Sequence, residues 1–305
     1  MFTTTISEVQ KFWECPTRWY LAYVHPRRIP KGIPSALTAG SAWHRLMEDI
    51  LNGMPRDEAL VTLSNSMNQA IEEAEAEGWV SKASDLQKEL ERMFLAGSLW
   101  KDWIPCQTLA IEEPLELLIP EGDNKFTIRP DHDLRILGRP DRQIRLFENN
   151  KIAHFQHRTR GASKPIGPYL DTFHRNPHEG CYWAMMEEKW GEEPYGTVLS
   201  LMRKLSLATI QKSPESALQQ HVIPISKKQA YTTVANVVAT TNNMRTMGSV
   251  RQWDDKFWNN PMLDLGRYDN SVDPYFDFLS TGDWDLLKDD TKFKDTEDRY
   301  AEVGA

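Results

Sequence analysis

The sequence has few cysteines, no long hydrophobic run and no excess of positive charge. Its 305 residues include three cysteines, which stand far apart without a CxxC pair. This excludes a disulfide framework and a four-thiolate metal site, and it favours a reducing compartment. No apolar stretch approaches the roughly 18 residues that a membrane span needs, and the N-terminus lacks the basic start and apolar core of a signal peptide. These absences predict a cytoplasmic protein with no membrane association.

The charge of the chain is negative overall but unevenly distributed. The formal net charge is -8, which argues against a protein coated with nucleic acid but not against a local basic groove. Residues 281–305 hold eight acidic residues against four basic ones, as is typical of a solvated tail. Residues 151–175 hold five lysines and arginines against one acid, and Gly161 and Gly167 lie where backbone could approach a phosphate.

The hydrophobic periodicity changes along the chain and predicts the fold class. Helical spacing dominates up to residue 103, and an alternation typical of strands follows, with Asn149-Asn150 as a turn between two of them. A helix, two strand-like segments and a long helix complete the pattern. This order predicts an α/β domain over residues 1–280, with a mixed central sheet flanked by helices and a helical insertion at about 54–103. The acidic tail over 281–305 would follow it.

Four short segments contain residues that could carry chemistry. In three of them the two side chains are spaced so that they share one face of the predicted helix or strand. None of these spacings is specific by itself, because a lone histidine on a helix is more typical of hydrogen-bonded structure than of a ligand. The segments contain His44 with Glu48, Gly138 with Asp141, Gln156 with Arg158, and His178 with Tyr182.

In order and spacing these segments resemble the PD-(D/E)XK nuclease superfamily, in the branch of RecB-type and CRISPR-associated exonucleases often met in phages. The opening "ISEVQKFWECPTRWYLAYV" resembles that branch's start, "GSAWHRLME" its Gly-x-x-x-His helix and "GRPD" its Gly-x-x-Asp strand end. "FQHRT" stands where the family has Asp-x-Lys-Thr, and "HEGCY" where it has Gln-x-x-x-Tyr. The resemblance covers about residues 6–280 and implies a restriction-endonuclease-like core.

The resemblance also implies a metal-dependent site, from which this sequence departs at two positions. In the family, the Gly-x-x-Asp carboxylate and an acid on the next strand hold Mg²⁺ or Mn²⁺, and this branch uses an additional ligand. The resemblance therefore implies Asp141 as a metal ligand here, with His44 as the additional one. Gln156 replaces the second acid, and Arg158 replaces the lysine that positions the attacking water. Magnesium prefers charged oxygens, and a guanidinium cannot lose a proton. Asp141, Gln156 and Arg158 are therefore predicted to form a degenerate catalytic site with weak or vestigial metal binding, and no resident cofactor is expected unless the site is active.

A second departure concerns iron. Many members of this branch hold a [4Fe–4S] cluster through an N-terminal cysteine and three cysteines near the C-terminus. Cys15 matches the first position, but Asp273 and Leu279 stand where thiolates are expected. Because a cluster needs its four soft ligands, no iron–sulfur cluster is predicted.

Together these departures predict a nuclease-like, catalytically degenerate protein that acts in DNA replication, recombination or repair. Its partner would be single-stranded or forked DNA, or a replication–recombination protein. The side chains predicted to contact phosphates, or to stack and pack beside the nucleic acid, are Arg158, Arg160, Lys164, Arg175, His178 and Tyr182.

Two alternatives stay open at this point. In the first, the chain is an active metal-dependent exonuclease with a rearranged site, in which Glu48, Glu148 or Glu179 supplies the missing carboxylate. In the second, the nuclease fold serves as a scaffold for protein contacts, and the acidic tail with Trp284 docks to a partner.

Overall fold

A computed structural model of the chain describes residues 1–14, 16–20, 23, 28–30, 35–162, 164–173, 175–248 and 293–295. The helices and strands in chain order are β1 (Phe2–Thr5), α1 (Ile6–Glu14), α2 (Pro16–Trp19), β2 (Arg28–Pro30), α3 (Ser35–Leu51), α4 (Arg56–Ala76), α5 (Val80–Leu99), β3 (Cys106–Ile111), β4 (Leu115–Ile119), β5 (Leu134–Gly138), β6 (Arg142–Leu146), β7 (Ile152–Gly161), α6 (Gly167–Phe173), α7 (Pro177–Trp190), β8 (Gly196–Lys204), α8 (Leu207–Lys212), α9 (Pro214–Ala217), β9 (Leu218–Pro224), α10 (Lys227–Gly248) and β10 (Phe293–Asp295). Within these described ranges, no helix is both long and apolar enough to cross a membrane.

The chain divides into two compact units. The first unit comprises Met1–Ile33, Glu116–Gly138 and Tyr231–Ala305, and the second comprises Pro34–Leu115 and Arg139–Ala230. This division differs from the single domain predicted over residues 1–280. Most of the predicted acidic tail, including Trp284, lies outside the described residues.

The first unit contains a three-stranded sheet with the order β1-β5-β4. Strands β1 and β5 are parallel, with Phe2 opposite Leu134, and α1 follows β1 directly. The buried Glu8 of α1 accepts hydrogen bonds from the Thr4 hydroxyl at 3.0 Å and from the Trp19 indole at 3.0 Å. These bonds satisfy a carboxylate that would otherwise be costly to bury.

The second unit is built on a five-stranded sheet with the order β3-β6-β7-β8-β9. Strands β7 and β8 run parallel, whereas the other neighbours run antiparallel. Residues Ile152–His157 of β7 are buried on both faces, as expected of a central strand, and the four residues that follow are half-buried. The prediction of an α/β fold with a mixed central sheet is confirmed.

The first three helices of the second unit share one hydrophobic core. Trp43 and Met47 of α3 pack in it with Leu63 of α4 and Leu86 of α5. A Cβ atom at Gly97 of α5 would lie 2.7 Å from a side-chain carbon of Leu46, so glycine permits this close helix approach. Helices α4 and α5 fall within the predicted insertion; that they are an insertion stays a prediction.

Candidate active site

Two carboxylates are brought together where strands β3 and β6 meet. Ile111 and Arg142 are partners across these antiparallel strands, so Glu112 and Asp141 lie next to each other just beyond the pair. The backbone N–H of Glu112 donates to the carbonyl of Asp141 at 3.1 Å. Glu112 has φ 48°, in the left-handed region that non-glycine residues seldom adopt. Residues in such rare backbone conformations are concentrated at functional sites. Its carboxylate pairs with Arg139 Nε at 3.0 Å.

The Asp141 carboxylate is held from two sides. One oxygen accepts the backbone N–H of His157 on β7 at 2.5 Å, and the other lies 3.3 Å from Nδ1 of His44 on α3. His44, Glu112 and Asp141 can each offer one ligand atom, and these atoms all lie within 4.8 Å of one another. The two predicted metal ligands, His44 and Asp141, are therefore adjacent, and Glu112 joins them.

The two carboxyl groups of this cluster have strongly shifted pKa values. Burial alone would raise the pKa of Asp141, but the His44 imidazole, through charge and hydrogen bond, and then Arg158 lower it to about 2. Burial, followed by the charges of Asp141 and Glu48, raises the pKa of Glu112 to about 7, despite the cations beside it. Two adjacent carboxyl groups thus have pKa values that their surroundings shift in opposite directions, a property that is common at functional sites.

The cluster opens into a cavity of about 630 Å³. Acidic and basic side chains face each other across it, and a hydroxyl, Thr159, lies at its wall. The charged side chains that line the cavity are His44, Arg45, Glu48, Glu112, Arg139, Asp141 and Arg158. A phosphate could approach Arg158 from this cavity while a cation neutralises the acids.

Gln156 and Arg158 share one face of β7, as predicted, and they contact each other. The Arg158 guanidinium donates to the Gln156 amide oxygen at 2.5 Å. Gln156 is 1% exposed, and its amide nitrogen has no hydrogen-bond partner among the described residues. Gln156, predicted to stand at the family's acid position, therefore acts as a neutral acceptor for Arg158, predicted to stand at the lysine position.

Besides Arg158, which lines the cavity, three of the predicted nucleic-acid contacts are accessible. Lys164 and Arg175 are exposed, and Arg160 is half-buried next to the Pro165 carbonyl. Arg160 lies near the end of β7, Lys164 in the loop that follows it and Arg175 between α6 and α7, all in the same unit as the cavity. Their role in binding stays a prediction.

The predictions for His178 and Tyr182 need correction. Tyr182 is 6% exposed and donates to the Arg139 carbonyl at 3.1 Å, so its ring is core and has no open face for a base. The Nδ1 atom of His178 donates to the side-chain oxygen of Asn176, the N-cap of α7, at 2.9 Å. Burial, followed by the Arg158 charge, lowers the pKa of His178 to about 4, so it carries no positive charge at neutral pH.

The three glutamates that were alternatives for the missing carboxylate lie in different environments. Glu48 lines the cavity, whereas Glu148 is exposed in the turn after β6. Glu179 is fully buried and hydrogen-bonded to His154 at 2.8 Å. Sequence reasoning missed Glu112; the signal that could have found it is an acidic residue directly after a strand that neighbours the Asp141 strand. Cys15, Asp273 and Leu279, on which the iron–sulfur prediction rests, lie outside the described residues.

The second unit is thus an α/β domain with a mixed sheet and a candidate divalent-cation site at its cavity. A family model described as PD-(D/E)XK nuclease superfamily matches residues 3–223, more than two thirds of the chain. The chain belongs to this superfamily. No curated protein matches the chain.

Proposed function

We propose that this protein is a metal-dependent nuclease in which Glu112 supplies the carboxylate that Gln156 lacks. One observation carries the proposal: the Glu112 carboxylate lies within 4.8 Å of the ligand atoms of both His44 and Asp141. The site would then have two acids and an imidazole although the motif position itself carries an amide. This corresponds to the alternative with a rearranged site, reached through a glutamate that the sequence patterns did not indicate.

The donor set fits Mg²⁺ or Mn²⁺. Carboxylate oxygens suit both ions, and an added imidazole nitrogen is a donor that Mn²⁺ accepts more readily than Mg²⁺. A divalent ion held by His44, Glu112 and Asp141 would supply charge neutralisation for the phosphate and a lowered pKa for water. Supporting hydrogen bonds from the His157 backbone and from Arg139 fix the two carboxylates in place.

The chain's own residues would position the phosphodiester. Arg158 keeps the positive charge of the family's lysine, and its planar fork suits two oxygens of one phosphate. It cannot act as a base, so its role is to bind and orient negative charge. Gln156 fixes this guanidinium through its amide oxygen without neutralising it, as a carboxylate would.

The direct test compares two neighbouring glutamates. Glu112→Gln should lower Mn²⁺ affinity by more than about 10- to 100-fold, the range for loss of an outer-shell partner, because it removes a proposed ligand, and it should lower the cleavage of labelled single- and double-stranded DNA to match. Glu113→Gln is the control, because Glu113 is 48% exposed and pairs with Lys189 at 2.5 Å away from the cluster. Calorimetry with Mn²⁺ and a cleavage assay with Mn²⁺ or Mg²⁺ measure both effects. Equal behaviour of the two variants would refute the assignment.

The second candidate is nucleic-acid binding without hydrolysis. It is supported by the contact between the neutral Gln156 amide and the Arg158 guanidinium. Absence of cleavage with both metals, together with salt-sensitive DNA binding that weakens in Arg158→Ala, would favour it. Three statements remain predictions: that the DNA is single-stranded or forked, that the protein acts in replication, recombination or repair, and that a protein partner docks on it.

A further inference from the structure

A pair of arginines lies beyond the cavity on neighbouring strands. Arg160 of β7 and Arg203 of β8 are register partners in the parallel pair, so their side chains project from the same face of the sheet. Both side chains are half-buried. Arg158 precedes Arg160 by two residues and therefore also points to this face.

These two guanidinium groups are held in place without being neutralised. Arg160 donates to the Pro165 carbonyl at 3.0 Å, and Arg203 donates to the Ala162 carbonyl at 3.2 Å. The Nε atom of each is buried and has no hydrogen-bond partner within the described part of the chain. The Arg160 guanidinium also lies 4.2 Å from the centre of the Tyr169 ring. None of these described contacts involves a carboxylate.

Like charges on directly paired residues of neighbouring strands repel each other, and the main-chain carbonyls compensate the charges of Arg160 and Arg203 only in part. Arginine forks of this kind suit the oxygens of a phosphate. We propose that Arg160 and Arg203 form a phosphate subsite that takes a phosphodiester of the nucleic-acid strand next to the one at Arg158. This inference rests on the proposed function in taking the cavity as the place where the reacting phosphodiester lies.

The arrangement favours a polymer of phosphates over a single small anion. Arg158 lines the cavity, and Arg160 follows it about 6.6 Å further along the strand, twice the rise per residue. The cations therefore form a row that begins at the candidate active site and continues away from it. Lys164, exposed in the loop that Arg160 and Arg203 bind, extends the positive charge.

The test measures how binding depends on salt. The full-length protein is titrated against a fluorescein-labelled single-stranded DNA oligonucleotide in EDTA, and anisotropy is recorded at several KCl concentrations. Arg203→Gln should weaken binding uniformly across sequences, and it should reduce the slope of log K against log salt by about 0.7, the value for one phosphate contact on a single strand. Arg203→Lys should restore the slope, since it restores the charge. Arg160→Gln provides a second, independent variant.

Arg56→Gln is the matched control, because Arg56 also donates to a main-chain carbonyl, that of Ser98, at 3.0 Å, but lies at the start of α4. Thermal unfolding shows that each variant is folded. The subsite is refuted if Arg203→Gln and Arg160→Gln, both folded, keep the wild-type slope, or if the wild-type protein does not bind the oligonucleotide at low salt. A slope reduced in a protein that does not cleave with Mn²⁺ would support the subsite and refute the proposed hydrolysis. Cleavage by the wild-type protein, together with unchanged slopes in Arg160→Gln and Arg203→Gln, would refute the subsite and support the proposed hydrolysis.

Discussion

Among the described residues of the second unit, two histidine–carboxylate pairs differ in access to solvent. In the open pair, His44 Nδ1 is 3.3 Å from an Asp141 oxygen, with side chains 28% and 13% exposed. In the sealed pair, His154 Nε2 is 2.8 Å from a Glu179 oxygen, and both side chains are 0% exposed. The same two functional groups are present in each case, but only the open pair borders a cavity.

The surroundings of the pairs explain their different roles. The Thr197 hydroxyl donates to the same Glu179 oxygen at 2.5 Å, which closes the sealed pair into a compact cluster between β7, β8 and α7. The open pair has a further acid, Glu112, beside it. A second carboxylate beside the pair and access to solvent, more than the presence of a histidine and an acid, therefore distinguish a candidate reactive site from a structural cluster.

The largest effect is expected from breaking the sealed pair. Glu179→Ala leaves His154 buried without its partner and should lower the free energy of unfolding by about 3 kcal/mol. Chemical denaturation measures the change. Glu192→Ala is the control, because Glu192 pairs with Arg145 at 2.6 Å at the surface and is 40% exposed, so its loss should cost less than about 1 kcal/mol. Similar costs for the two variants would show that burial does not set the difference between the pairs.

Breaking the open pair should affect ligand binding more than stability. Asp141→Asn keeps an oxygen that can accept the His157 N–H but removes the charge of a proposed ligand, and it should reduce Mn²⁺ affinity by at least about 100-fold, the upper end of the range for loss of an outer-shell partner. Calorimetry measures the affinity. The free energy of unfolding should fall, because the pairing with His44 that lowers the pKa of Asp141 also stabilises the folded state at neutral pH, but it should fall by less than in Glu179→Ala, since Asp141 is partly exposed. A variant that unfolds easily yet binds Mn²⁺ normally when folded would place Asp141 with the structural cluster instead.

The sequence predicts some parts of this comparison and not others. Motif spacing finds Asp141 and His44, because the chemistry of the family keeps those residue types at fixed places. It misses Glu112, since its position depends on the register of β3 against β6 and on an unusual backbone angle, neither of which leaves a motif. It also places Tyr182 in a binding role, because spacing on a helix does not reveal which face the sheet covers.

The smallest effect concerns a contact that joins a buried group to an accessible one. Gln156 is buried like the sealed pair, whereas its partner Arg158 reaches the cavity like the open pair. Gln156→Leu removes the amide oxygen and should cost about 1.5 kcal/mol of stability, the value of a hydrogen bond to a charged group. If Gln156 acts through Arg158, most of this cost should vanish in an Arg158→Ala background, which a double-mutant cycle of unfolding free energies measures.

Gln143→Leu is the matched control: Gln143 is also fully buried, and its amide oxygen accepts from the Trp190 indole at 3.1 Å, so its cost should be the same in both backgrounds. A Gln156→Leu cost that is independent of Arg158 would mean that the amide serves packing alone, and the orientation of the guanidinium toward the cavity would need another cause.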